Sequence, residues 1–213
     1  MRTIVVAGIG TGVGKTIISA ILVEALSADY WKPVQAGEEG GTDTNNVKQL
    51  VSNQQSVFYK EAYHLSQPMS PHAAAAIDGV EITLDKLNLP KTSGTLIVEL
   101  AGGLMVPLNE RELNIHLVVK WNVPVVLISM NYLGSINHTI LSFQMLKGYG
   151  IEVEGIIFNG EPNSATEKFI LNYTGARCLG RLPRLNTINR DVIQQYAKEW
   201  KENLKPHNIN VAQ

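Results

Sequence analysis

One stretch near the start of the chain narrows the possible folds more than any other: Gly8-Ile9-Gly10-Thr11-Gly12-Val13-Gly14-Lys15-Thr16. It follows an apolar run, Thr3-Ile4-Val5-Val6-Ala7. It opens onto Ile17 to Leu26, where Ile18, Ile21, Leu22 and Ala25 recur at i, i+3, i+4 and i+7, one face of a helix. Strand, glycine-rich loop and helix in that order form the setting a phosphate-binding loop requires. Glycines let successive N–H groups turn inward, and the helix start adds partial positive charge. Lys15 reaches the outer phosphates and Thr16 offers a hydroxyl to Mg²⁺. The usual spacing puts four residues between the first glycine and Gly-Lys-Thr. Here Ile9 holds that first position and Gly8 lies one residue further back. The alternative, a merely flexible glycine turn, does not account for the strand and helix on either side.

A chain of 213 residues, 45% of them hydrophobic, can bury a core as one compact domain. The formal net charge of −1 gives no broad basic field for nucleic acid or an anionic membrane. Anion sites must therefore come from individual residues and helix ends. The single cysteine, Cys178, excludes an internal disulfide and suits a reducing compartment. The N-terminal apolar run meets glycine by Gly8 and lacks a signal-peptide pattern, and no stretch is long enough to span a bilayer. The expectation is a soluble, cytoplasmic protein.

Along the chain, Asp29 to Val34 reads as a second strand with Pro33 at its end, since proline cannot donate to a sheet. The loop Gln35 to Thr42 is polar and glycine-rich, suited equally to function or to a surface connection. Asp43 is placed to cap a helix over Thr44 to Val51. Residues 52 to 69 look irregular. Ser70-Pro71 then starts a short helix, and Thr83 to Leu87 forms another. Strands are expected at Gly94–Glu99, Val123–Ser129, Glu154–Asn159 and within Ala176–Leu182. Helices are expected at Asn114–Trp121, Gly134 to about Lys147, Ser164–Tyr173 and Arg190–Leu204. Alternating strands and helices, with several strands apolar throughout, specify a doubly wound α/β domain of the P-loop NTPase type, its mostly parallel sheet covered on both faces. Ligands in such a fold gather at the carboxyl ends of the strands.

The polar residues agree with that rule. Lys15 and Thr16 follow the first strand, Lys32 the second, and Glu99 closes a middle strand. Asn131 to Asn137 follow the next, and Asn159 ends another. Glu99 either marks where its strand leaves the core or supplies an oxygen ligand to Mg²⁺ beside the phosphate loop. Asp43 has the same two readings, helix cap or ligand. Asn159 reads as a functional residue or a plain turn residue, and His72 and His138 as structural.

Taken in order, further motifs resemble those of one family, the dethiobiotin synthetases. They are Gly8-x-x-Thr11-x-Val13-Gly14-Lys15-Thr16, Lys32-Pro33-Val34, Asp43, Ser70-Pro71-His72, Val98-Glu99-x-Ala101-Gly102-Gly103-x-x-Val106-Pro107-Leu108, Leu133-Gly134-x-Ile136-Asn137-His138 and Gly180-x-Leu182-Pro183. The match runs from about residue 3 to 190, and only the phosphate loop is widely shared with other nucleotide enzymes.

The resemblance implies a reaction in biotin biosynthesis: diaminopelargonic acid, CO₂ and MgATP give dethiobiotin, ADP and phosphate. It implies Lys32, Lys15 and Thr11 as catalytic residues. Thr11, Gly12, Val13, Gly14, Lys15 and Thr16 would hold the triphosphate, and Thr16, Asp43 and Glu99 the Mg²⁺. Leu100, Ala101 and Gly102 would continue the nucleotide site, with Asn159 and Gly160 at the base edge and Pro183, Arg184 and Leu185 covering it. Ala36 would lie at the substrate. Gly134, Ser135, Ile136 and Asn137 would take the substrate's tail carboxylate across a homodimer interface. Four departures stand out. Ala36 replaces a hydroxyl residue, Leu100 replaces a glycine, Gly10 and Gly12 replace larger loop residues, and Arg190 lies near where an acidic residue would meet the ribose.

Two other classes compete. A nucleotide-switched partition-type ATPase typically carries a further lysine early in its loop, and none lies between Gly8 and Gly14. A membrane-targeting member also needs a basic amphipathic tail, unlike Pro206 to Gln213. A cobyrinate-type ligase needs a second, glutaminase domain that this chain lacks.

Overall fold

The computed structural model describes residues 2–37 and 40–205. Glu38 and Glu39 of the polar loop, and the tail Pro206 to Gln213, lie outside the described residues. In chain order the elements are β1 (Arg2–Gly8), α1 (Lys15–Leu26), β2 (Asp29–Trp31), β3 (Val34–Ala36), α2 (Asp43–Leu50), β4 (Phe58–Tyr59), β5 (Tyr63–Leu65) and α3 (Pro71–Ile77). After a 3₁₀ turn at Leu84–Lys86 come β6 (Thr95–Gly103), α4 (Asn114–Trp121), β7 (Val125–Met130), α5 (Ser135–Gly148), β8 (Val153–Asn159), α6 (Ser164–Thr174), β9 (Cys178–Leu182) and α7 (Arg190–Trp200).

Seven strands form one sheet in the order β4-β2-β6-β1-β7-β8-β9, and all the recorded pairings are parallel. Successive side chains of a strand point to opposite faces, so β1 feeds two cores. Ile4 and Val6 pack with Ile18, Ile21 and Leu22 of α1 and Trp200 of α7. Val5 and Ala7 pack with Ile115 and Val118 of α4 and Phe143 and Leu146 of α5. That two-sided burial is why these strands read as unbroken apolar runs. The four residues singled out on the first helix, Ile18, Ile21, Leu22 and Ala25, are all buried.

The second strand differs from expectation. Asp29 to Val34 is not one strand but two, broken at Lys32-Pro33, and β3 leaves the main sheet to pair with β5. Pro33 has no N–H to offer, while its carbonyl accepts from the N–H groups of Ala62 and Tyr63. The segment read as irregular holds β4 and β5, which are too short to show a period. The cap of α2 is Thr42, whose side chain accepts from the Asn45 N–H at 3.1 Å, so Asp43 is not needed as a cap. Ser70 occupies its expected cap position with Pro71 in the first turn, but makes no side-chain capping bond. α7 stops at Trp200, and residues 201–204 form turns. Among the described residues no helix is long and apolar enough to cross a membrane.

α7 seats on β9 through one close contact. A Cβ built on Gly180 would lie 2.4–2.7 Å from the Trp200 ring, which is itself 1% exposed. Gly180→Ala should therefore force the indole or α7 to shift, a destabilisation of about 1–3 kcal/mol. Urea titration of the two proteins measures it, and an unchanged midpoint would contradict the packing described.

Candidate functional site

The phosphate loop owes its shape to glycine. Gly12 and Gly14 have φ of +70° and +90°, a region that costs glycine nothing. Gly14 is the N-cap of α1, and a Cβ there would lie 2.3 Å from Asn159 Nδ2. Asn159 closes against the loop for a purpose: its Nδ2 donates to the Val13 carbonyl at 2.8 Å, tying the loop to the end of β8. Lys15 is buried and curls back, Nζ donating to the Gly10 carbonyl at 3.1 Å. Burial pushes its pKa down to about 8, against the upward pull of Glu99.

Where the loop runs into α1, four side chains from distant parts of the chain converge. Lys32, at the end of β2, donates to Asp43 Oδ2 at 2.5 Å and to Glu99 Oε1 at 3.1 Å. Thr16 donates to Asp43 Oδ1 at 2.6 Å and approaches Glu99 Oε1 at 3.1 Å. Burial works to lower the Lys32 pKa, but Glu99 and then Asp43 outweigh it and hold the ammonium above the usual lysine value. Burial likewise works to raise Asp43, and Lys32 overrides it, leaving that carboxyl below its ordinary range.

Sequence reasoning missed two members of this cluster. Tyr30 is fully buried and its hydroxyl donates to Glu99 Oε2 at 3.0 Å. Gln35 accepts the Asp43 N–H on Oε1 at 3.2 Å and donates to the Gly37 carbonyl at 2.9 Å, pinning both ends of the polar loop. The strand period held a signal for the first: Tyr30 lies two residues before Lys32, on the same side of an extended chain.

Thr11, Lys15, Lys32, Asp43 and Glu99 line one cavity of about 630 Å³ together with Ala36, Ala101 and Gly102. A second cavity, of about 370 Å³, lies past Gly14 and is lined by Asn159, Gly160, Pro183, Arg184 and Leu185. Glu99 does not end its strand: β6 runs on to Gly103, with an irregularity where β1 passes from Val6 to Gly8. Strand alternation then decides the next residues. Glu99 and Ala101 face the cavity, whereas Leu100 turns to the other side, fully buried in the core beside Leu96 and Val98. Leu100 therefore does not line the cavity, contrary to expectation.

Thr16, Asp43 and Glu99 offer a hydroxyl and two carboxylates, all hard oxygen donors, which fits Mg²⁺. Among the described residues no group of three or more His, Cys, Asp or Glu side chains converges as a metal cage.

The chain matches the family model described as AAA domain over residues 2–192. Among solved structures it resembles a ParA family ATPase from Chlorobium tepidum, with a TM-score of 0.55, covering 95% of this chain and 91% of that one. At 13% identity this shows the fold alone. Two curated relatives decide the family. The ATP-dependent dethiobiotin synthetase of Christiangramia forsetii is 47% identical over 199 residues, covering 93% of this chain and 96% of that protein. The enzyme of the same name from Cytophaga hutchinsonii is 46% identical over 204 residues, covering 95% and 98%. This chain is a dethiobiotin synthetase family member. The family carries the α/β P-loop fold seen here and ATP-dependent ligase chemistry.

Not all residues implied for a dethiobiotin synthetase meet within this chain. Gly134, Ser135, Ile136 and Asn137 form the start of α5, with Gly134 as its N-cap at φ +102°. They line neither the phosphate cavity nor its neighbour. Ser135 is buried with an unpartnered Oγ, while Gly134 and Asn137 are exposed. Arg190 opens α7 and its Nε donates to the Gln49 carbonyl at 2.8 Å, binding α7 to α2.

The cluster gives a signed pH dependence. A carboxyl whose folded pKa lies below its unfolded value, about 3.9 for aspartate, adds stability above that value and loses it as pH falls through the folded one. Asp43 contributes in that direction because of Lys32. Lys32→Met should therefore flatten the acid limb of a plot of urea midpoint against pH between about 5 and 2. An acid limb as steep as that of the unmodified protein would show that Lys32 does not govern Asp43.

Proposed function

We propose that this chain carries out the ATP- and Mg²⁺-dependent carboxylation and ring closure of diaminopelargonic acid with CO₂, giving dethiobiotin, ADP and phosphate. The observation that carries the reading is the cavity in which the phosphate loop faces Lys32, with Asp43 and Glu99 on either side of its ammonium. The reaction brings two anions together, a carbamate formed when a substrate amine captures CO₂ and the triphosphate that phosphorylates it. The neighbouring amine then attacks the activated carbonyl, closes the cyclic urea and expels phosphate.

Each residue has a task in that sequence. Lys15 and the loop N–H groups bind the triphosphate and offset charge as the γ-phosphoryl group moves. Lys32 supplies compact positive charge between carbamate and phosphate, with Thr11 on the loop beside them. Thr16, Asp43 and Glu99 would hold Mg²⁺, which when bound neutralises phosphate charge. Thr16 and Lys32 share both carboxylates, Thr16 on Asp43 Oδ1 and Glu99 Oε1 and Lys32 on Asp43 Oδ2 and Glu99 Oε1. Ala36 lines the cavity without a hydroxyl, so that contact to substrate is lost or made by water. Asn159, Gly160 and Pro183 to Leu185 would surround the base. The setting is cytoplasmic, with small-molecule substrates and with neither nucleic acid nor membrane as a partner.

The working form is a homodimer in this reading. Leu133, Leu141 and Met105 are exposed around α5 and the loop after β6. A cavity of about 500 Å³ lined by Thr11, Val106, Leu141 and Met145 lies between that apolar surface and the phosphate loop. The substrate has its amines at one end and a carboxylate at the other. The helix start at Gly134 to Asn137 of a second copy would offer that carboxylate the N–H groups of Ile136 and Asn137, the Ser135 N–H being taken by the Tyr132 carbonyl at 3.0 Å.

Incubation with diaminopelargonic acid, bicarbonate and MgATP, followed by mass detection of dethiobiotin, tests the whole reading, and ATP turnover that does not depend on the diamine would favour a switch ATPase instead. Asp43→Asn and Glu99→Gln should each cut turnover about a thousandfold, roughly 4 kcal/mol of barrier, and raise the Mg²⁺ requirement. Near-normal rates at low Mg²⁺ would remove both from the metal set.

The dimer makes a separate prediction. Light scattering should give twice the 23.4 kDa chain mass. Asn137→Asp should weaken diaminopelargonic acid binding while sparing ATP binding, because a negative charge at that helix start favours the helix and repels the carboxylate. A fully active monomer, or an unchanged KM for the diamine, would rule the arrangement out.

A further inference from the structure

Glu167 has no part in the site described so far, yet it is 5% exposed in the first turns of α6. A carboxylate that deep needs strong partners. Arg181 Nε donates to Oε2 at 2.5 Å, and Asn131 Nδ2 donates to Oε1 at 2.8 Å. The Asn163 N–H adds a longer bond to Oε1 at 3.3 Å. These partners come from three places: β9, the residue after β7, and the loop after β8. Main-chain bonds knit the same segments together, Asn131 N–H to the Asn159 carbonyl and Gly160 N–H to the Leu182 carbonyl, both at 2.9 Å. The Arg181 guanidinium also lies 5.8 Å from the centre of the Phe158 ring, on the strand that ends in Asn159.

Those segments wall the cavity of about 370 Å³ beside the phosphate loop, through Asn131, Asn159, Gly160 and Leu182. Glu167 itself does not line it. We propose that Glu167 is a positioning residue for the nucleotide base: its carboxylate sets the spacing of the three strand ends that enclose the base, without touching the nucleotide. The inference rests on the reading of this cavity as the base site.

The Asn131 amide argues for an imposed geometry. Both its N–H groups go to fixed acceptors, Glu167 Oε1 and the Glu161 carbonyl at 3.0 Å. Its Oδ1 is left buried with no hydrogen-bond partner, a cost that its own hydrogen bonding would not choose. Glutamine at 167 would present one acceptor and one donor to a ring of donors, so Arg181 and Asn131 could not both be held. An ordinary helix-start ion pair, by contrast, would stabilise α6 and leave ligand binding alone.

The test uses the full chain, calorimetry, and two ligands at fixed Mg²⁺: ATP, and inorganic tripolyphosphate, which has the phosphates but no base. The unmodified protein should bind ATP the tighter by at least about tenfold. Glu167→Gln should weaken ATP about tenfold while moving tripolyphosphate by less than about twofold, as expected for lost charge-assisted hydrogen bonds that act only through the base. Arg181→Met leaves the buried carboxylate in place and should produce the same selective loss, smaller in size, which keeps the test open if Glu167→Gln does not fold. Unchanged ATP affinity in both variants, or equal loss of both ligands, would overturn the role given to Glu167. Equal affinity of the unmodified protein for the two ligands would instead overturn the base-site reading on which it stands.

Discussion

An ammonium group at the end of a buried side chain cannot remain charged in a protein unless its charge is met nearby, and Lys32, only 5% exposed, is in that position. Glu99 and Asp43 meet it, and through them β2, β6 and the start of α2 are held at one end of the sheet. The arrangement is demanding in the other direction too. Two carboxylates this close repel each other unless a cation lies between them. Lysine and the pair of acids are therefore mutually required, and the phosphate loop, through Thr16, is hydrogen-bonded to both acids. The wall of the phosphate-loop cavity is at the same time a structural joint of the fold.

The outer layers exist to keep this joint rigid. Tyr30 and Gln35 each fix one acid. The phenol holds the far oxygen of Glu99, and the amide holds the backbone of Asp43. Burial and then Glu99 push the Tyr30 pKa well above its ordinary value, so it remains a donor throughout the working range. Asn159 does the same service for the phosphate loop from the opposite side. Pre-organisation of this kind matters because a site for phosphoryl transfer works through placed charge, which must not need to rearrange as the reaction proceeds.

Much of this was legible in the sequence. Gly14, Lys15 and Thr16 announce a phosphate loop because only glycine accepts the backbone that cradles phosphate. The apolar runs of β1, β7 and β8 announce a parallel sheet buried on both faces. Motif order from Thr11 to Pro183 pointed to the family, and relatives 46–47% identical bear it out. These signals are local: each depends on what one residue type can do with its own backbone or its own face of an element.

What the sequence could not decide was which residues meet across elements and which way each one turns. Leu100 follows Glu99 directly, yet strand alternation sends it into the core beside Leu96 and away from the cavity. The run from Asp29 to Val34 looked continuous, but Pro33 withholds one ladder bond and β3 departs to pair with β5. Asp43 looked like a helix cap until Thr42 was seen to fill that place, which frees its carboxylate for Lys32. The network around Glu167 joins residues up to 36 positions apart and has no periodic trace. The kind of fold, the phosphate loop and the family can be read along the chain, because backbone preference and burial pattern are written residue by residue. The partners of the buried charges cannot, because a charge in the interior is stabilised by whatever group the fold brings within hydrogen-bonding distance, however far away along the chain.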